Sequence, residues 1–320
     1  MKPEQKPIIL ICCVSTLLLM ILTGSAYAMM YRFSGGPSGG TFQYYASAVS
    51  TLSKQNRINV LASSSGGSVE NIRLANSGKA SFAAAYSGHL FQAERGLLPK
   101  DTRTYKNVLA VCYLYGAPAQ LVVRADSNIT ETLQLAGKRV GTGNAGSGAA
   151  ANCELFFSEL GIWNKITRNF LGYRQAADAF KNKQLDAFWI FSGCPNAAVI
   201  ETALQNKIKL ISLYSEAEKT GFLQKHPYFT KVVIPANTYK GVSSDTITFQ
   251  DAALWVANKK VSADLVYRLL KIIYSQKGLE YMVSVHKSAR AMSIQDGIHG
   301  IITPLHPGAV KFWQEHGILK

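Results

Sequence analysis

At 320 residues the chain is long for one ordinary domain and suits two. Apolar residues make up 48% and charged residues 17%, which excludes an intrinsically disordered chain. The formal net charge is +15, but the cations are scattered and form no basic tract. That excludes nucleic acid as the partner and leaves a basic solvated surface with a modest pull on anions.

Met1 to Ala28 stands apart. Lys2 and Lys6 flank its start, Ile8 to Leu22 is an apolar run, and Ala26-Tyr27-Ala28 is an A-x-A cleavage site. The pattern predicts a secretory signal peptide cut after Ala28, the run being short for a membrane span, with an uncleaved anchor as the alternative. Cys12 and Cys13 lie in the run without the small-residue context of a lipoprotein site. The remaining Cys112, Cys153 and Cys194 are too few for a disulfide framework. Cys112 and Cys153 read as small core residues, and Cys194 sits in a turn with no His beside it.

Beyond the leader one local unit recurs. In YRFSGGPSGGTFQYY (31 to 45) a short strand enters a Gly/Ser turn, and Thr41 opens a helix. The first amides of a helix have no intrahelical partner, and the macrodipole adds about half a positive charge there. Such a turn suits a carboxylate or another small anion. The same unit appears at 58 to 78, with the turn Ser63 to Ser68, and at 138 to 161, with the turn Gly141 to Gly148. It appears again at 187 to 204, with the turn Ser192 to Asn196. Four helix starts, two from each half, are expected to face one cleft. Candidate ligand contacts are Gly40, Thr41 and Tyr44 in the first unit, Ser68 in the second, and Ser147 and Gly148 in the third. Trp189 and Asn196 come from the fourth, and Tyr86 and Ser87 from the turn after the strand Ser81 to Ala85. Tyr44, Tyr86 and Trp189 are equally readable as core packing, and Asn196 as a helix cap.

KNVLAVCYLYGAPAQLVVRAD reads as two strands joined through Gly116-Ala117-Pro118. Arg124, at its end, either pairs with a carboxylate such as Asp126 or grips a ligand carboxylate. A strand at Arg168 to Leu171 precedes a helix, and IKLISL is a further strand. HPYFTKVVIPANTYKG reads as irregular, Ala252 to Ala257 as a strand. VSADLVYRLLKIIYSQKG reads as a helix capped by Ser262 and ended by Gly278, and Pro307 opens the last helix. Strands alternating with helices predict an α/β fold with a largely parallel sheet. The expected architecture is of the periplasmic-binding-protein type II kind: two α/β lobes, 29–123 with 236–320 and 124–235, joined by a two-strand hinge around a ligand cleft.

Two motifs compete with this reading. Gly141 to Gly146 matches the dinucleotide fingerprint, but the next strand ends at Gly172-Tyr173 where an acid should hold the ribose. Gly36-Pro37-Ser38-Gly39-Gly40 matches a hydrolase nucleophile elbow, yet His286, His299 and His306 have no evident acidic partner. The six His show no metal-ligand spacing. A hydrolase acting through Ser38 stays as the alternative from another class; no cofactor or metal is expected.

SGGPSGGTFQYY, SSGGSVENIRLANSGKASFA, QLVVRADSNI, LAGKRVGTGNAGSG, FLGYRQAADAFKNKQLDAFWIFSGCPNAAV and PLHPGAVKFWQEHG resemble the TAXI solute-binding proteins of tripartite (TRAP) transporters. The blocks run from residue 34 nearly to the end. The resemblance implies a monomeric periplasmic protein that closes over a small organic acid, such as glutamate, 2-oxoglutarate or a related dicarboxylate. It further implies delivery to a TRAP-type membrane permease, with a sensor or adaptor of the same fold as the alternative. The family often begins its first turn with GTGGTYY; Ser38 and Phe42 depart from that, which bears on ligand identity.

Overall fold

The computed structural model describes residues 30–98 and 101–320, so the expected leader lies outside the described residues. Its first three strands are β1 (Tyr31–Ser34), β2 (Val60–Ser63) and β3 (Phe82–Tyr86). They alternate with α1 (Thr41–Gln55), α2 (Ser68–Asn76) and α3 (Ser87–Arg95). β4 (Val108–Arg124) is followed by β5 (Arg139–Gly141), α4 (Gly148–Glu159), β6 (Thr167–Asn169) and α5 (Tyr173–Lys181). Next come β7 (Ala187–Phe191), α6 (Ala197–Gln205), β8 (Ile208–Ile211), α7 (Tyr214–Lys219) and α8 (Phe222–Lys225). β9 (Thr230–Ile234), β10 (Thr246–Asn258), α9 (Ala263–Ile273), α10 (Gln276–Val285) and α11 (Pro307–Glu315) complete the chain. This is the expected α/β class.

The strands form one ten-stranded sheet, ordered β2-β1-β3-β10-β4-β7-β5-β6, with β9 on β10 and β8 on β4. β2, β1 and β3 are mutually parallel, as are β7, β5 and β6. β10 runs antiparallel to β3 and β4, and β4 antiparallel to β7. Two parallel triplets are therefore bridged by the two longest strands. β3 (FAAAY) and β7 (AFWIF) are buried at every residue. Their unbroken apolar runs reflect strands covered on both faces.

Three expectations about elements are corrected. β4 is one continuous strand, not two. Pro118 is its last residue opposite β10, and from Ala119 it pairs with β7 and β8. A proline fits where the partner changes, because its missing N–H falls at the end of a ladder. β10 starts at Thr246, and its first five residues pair with β9, in the segment read as irregular. The pattern misled because Thr246 and Thr248 are buried while Ile247 faces out, the reverse of the usual code. Finally, Gly278 does not end a helix. α9 stops at Ile273, Ser275 caps α10 by accepting from the Gly278 amide, and a Cβ at Gly278 would stand 2.2 Å from the Ile272 carbonyl oxygen. Glycine serves there for close approach.

Pro307 opens α11 as expected, behind the cap His306. The core is rich in aromatics: Phe156, Trp189, Phe222 and Phe249 pack on one another within it. Cys112 and Cys153 are buried in this core, as expected, and burial pushes the Cys112 thiol up to about 12. Cys194 is half-buried with its Sγ 3.5 Å from the Tyr239 hydroxyl. Among the described residues no helix is long and apolar enough to cross a membrane.

Candidate ligand-binding site

Four helix starts converge on one cavity. Thr41 begins α1 after Gly40, Ser68 begins α2 after Gly67, Gly148 begins α4 after Ser147, and Tyr173 begins α5. All of these residues line one small cavity of about 30 Å³ that is partly open to solvent. Gly40 and Gly67 have no side chain to cap with, and the Ser147 hydroxyl already accepts from the Ala150 amide at 3.0 Å. The leading amides of α1 and α2 and the first two of α4 therefore remain for a guest, while at α5 the Gln175 side chain turns back onto the Gly172 amide at 3.1 Å. Among the described residues no charged side chain lines the cavity. Its electrostatics come from helix ends, whose positive potential is strongest where water is thin.

Two buried hydroxyls sharpen the picture. Thr41 Oγ1 and Tyr115 Oη stand beside each other in the cavity wall, and among the described residues neither has any other hydrogen-bond partner. Buried polar groups are nearly always paired, and two hydroxyls that have only each other keep capacity for a further partner. Burial drives the Tyr115 phenol well above its ordinary value, so it is a neutral donor at any physiological pH.

Other hydroxyls of the wall are already satisfied. Tyr86 and Tyr173, one from each half of the chain, both donate to the Phe191 carbonyl at 2.6 Å. Phe42 packs against Tyr86 at 4.8 Å between ring centroids and Tyr115 at 6.1 Å, giving an apolar side to the cavity. Behind Ser68 sits His89, whose Nδ1 is 3.1 Å from the Ser68 Oγ. Burial lowers His89 to about 4, so the ring is neutral. A Cβ at Gly148 would lie 2.8 Å from both Ser68 Cβ and His89 Cε1. The start of α4 thus rests directly on the start of α2, and only glycine allows the approach.

Of the residues expected from sequence, Gly40, Thr41, Ser68, Tyr86, Ser147 and Gly148 line the cavity. The others are placed elsewhere. Tyr44 is 38% exposed on the outer side of α1, with His286 beside it. Ser87 donates to the Gly300 carbonyl. Arg124 donates to the Phe180 carbonyl and to Asn206 and lies over the Phe180 ring, so the bidentate grip on a ligand is replaced by internal contacts. Trp189 is fully buried against Phe156 and Phe157. Asn196 caps its own helix, accepting from Ala198 N at 2.9 Å. The fourth expected helix start is accordingly replaced by that of α5, although Ser192 of the same turn does reach the cavity. Ser38 is exposed and makes no hydrogen bond to a His or an acid. Phe42, Tyr115, Asn144 and Tyr173 were missed; only Tyr173, directly after a strand and a glycine, carried a readable signal.

Comparison with known proteins places this geometry. The chain belongs to the NMT1-like family. The match spans residues 33–317. Among solved structures it is similar to MatC from Rhodopseudomonas palustris with bound malate, at 14% identity over 81% of this chain and 88% of that one, with a TM-score of 0.52. A protein from Bordetella bronchiseptica RB50 gives 14% identity over 91% and 89%, with a TM-score of 0.51. The substrate-binding protein of an amino acid ABC transporter gives 11% identity over 81% and 100%, with a TM-score of 0.50. At these identities the likeness is one of fold: this NMT1-like chain has a type II-like periplasmic-binding-protein architecture.

Proposed function

We propose that the chain is an exported solute-binding protein that captures a small organic anion and hands it to a membrane permease. The observation that carries this is the convergence of four helix starts on a cavity with no charged side chain among its described lining residues, where the buried Thr41 and Tyr115 hydroxyls have only each other. Neutral donors of this kind hold a carboxylate without the desolvation cost of burying an arginine. The malate bound to the fold relative MatC supports a carboxylic acid as the guest. On this reading, 29–123 with 236–320 and 124–235 are lobes that close over the ligand on the β4 and β10 hinge. Differential affinity then shifts an open–closed equilibrium.

The finer reading follows the resemblance of the sequence to TAXI proteins. The ligand is a dicarboxylate of the glutamate or 2-oxoglutarate size, the partner is a TRAP-type permease, and the mature monomer works in the periplasm after cleavage at Ala28. Native mass spectrometry of freshly purified, exported protein is the test. The expected result is a mature chain beginning at Met29 with one co-purified small acid. Mass for an uncleaved chain would refute export with processing, and binding only of neutral or cationic solutes would refute the anion reading.

A further inference from the structure

We infer that the ligand carries no ammonium group: the cavity accepts an oxo, hydroxy or plain carboxylic acid and rejects the matching α-amino acid. This rests on the reading of the cavity as an organic-acid site and narrows it. An amino acid brings a carboxylate and an ammonium a few ångströms apart, so its site must supply donors for one and a counter-charge for the other. The cavity supplies only the first. Among the described residues it has no Asp or Glu in its wall. Four helix starts aim positive potential into it, which repels an ammonium as strongly as it draws a carboxylate.

The acids nearest the site are not in its wall, and both already accept backbone amides. Asp251 is buried, and its carboxyl accepts from the Gly88 amide at 3.1 and 3.3 Å, at the start of α3 and away from the cavity. Glu70, exposed in the first turn of α2, is at the rim and is occupied by the amide of the wall residue Gly66 at 2.7 Å. The Phe191 carbonyl, which would otherwise serve an ammonium, already receives both the Tyr86 and Tyr173 hydroxyls. What the wall keeps in reserve is a pair of neighbouring hydroxyl groups, Thr41 and Tyr115, without other partners among the described residues and suited to a carbonyl or hydroxyl oxygen or a second carboxylate.

The test is isothermal titration calorimetry on the mature chain, freed of ligand by dialysis, with pairs matched in length: 2-oxoglutarate and glutamate, oxaloacetate and aspartate, pyruvate and alanine. In whichever pair binds, the oxo acid is expected to bind at least about a hundredfold more tightly, the discrimination that an unpaired buried charge imposes. Asn144, in the cavity wall, provides the converse: Asn144→Asp should shift the ratio toward the amino acid by about tenfold or more, because it adds the missing counter-charge. Glu70→Gln should leave the ratio unchanged. An amino acid bound within about tenfold of its oxo partner would overturn the inference while leaving the organic-acid site standing. Loss of amino-acid binding in Glu70→Gln would overturn it in the same way. If no acid of either kind binds, the reading of the site falls and the inference with it.

Discussion

The start of α3 and the starts around the cavity are the same local object in different company. Each follows a strand directly or through a short turn, and Gly40, Gly67 and Tyr86 all stand at helix N-termini without a side-chain cap. At α3 the chain answers its own helix: Asp251, projecting from β10, places a carboxyl oxygen on the Gly88 amide. At α1, α2, α4 and α5 nothing in the wall does so. The difference teaches what the cavity lacks. A carboxyl group satisfies a start of this type: the fold provides a buried one at α3 and an exposed one, Glu70 on the Gly66 amide, at the entry to α2, and none at α1, α4 or α5 among the described residues.

The largest effect should come from supplying the cavity with a tethered carboxylate. Gly148→Glu places a like charge and bulk where α4 meets Ser68 and His89, and affinity for the acid should fall by about a thousandfold, near 4 kcal/mol. Thermal melting should show that the variant folds, and calorimetry reads the loss.

The second test asks in which form the internal occupant acts. Burial raises the Asp251 carboxyl well above its ordinary range, more than its backbone hydrogen bonds lower it. A raised folded value means that its contribution is complete below about pH 4, the unfolded value, and is lost as pH rises toward the folded one. Asp251→Asn keeps the acceptor and cannot ionise. Its stability relative to the parent should therefore improve by roughly 1 to 3 kcal/mol between pH 4 and pH 8, measured by urea unfolding. A flat difference would mean that Asp251 is ionised in the fold and acts as a true counter-charge to α3.

Smaller effects follow at the edges of the comparison. Thr41→Val removes one of the two neighbouring hydroxyls without changing shape, so binding should weaken roughly tenfold, the worth of one hydrogen bond to a charged group. Arg124→Ala should leave affinity within about twofold, because that guanidinium is turned to Phe180 and Asn206 and not to the cavity.

How much of this could be read from sequence follows from the range of each interaction. A glycine-rich turn between a strand and a helix is local, so Thr41, Ser68 and Gly148 were legible from the amino-acid order alone. The α/β class was legible for the same reason, through alternation of short apolar runs and helical periodicity. Tyr115 was not, because its hydroxyl meets the cavity only through the pairing of β4 with β10. Trp189 shows the limit from the other side: an aromatic two residues from a promising turn points into the core beside Phe156, and strand parity alone does not say which face is the cleft. Arg124 and Asn196 look like ligand groups by type, yet each is engaged by hydrogen-bond partners within the fold that sequence does not display.

The central claim is that one small organic anion lies among the starts of α1, α2, α4 and α5. A crystal structure of the mature protein with its co-purified acid tests it most directly. The account predicts a carboxylate within hydrogen-bond distance of the Thr41 and Gly148 amides, with the Thr41 or Tyr115 hydroxyl on the same ligand. Density for the acid elsewhere, such as in the open groove lined by Lys287 and Arg290, with the helix starts left to water, would contradict it.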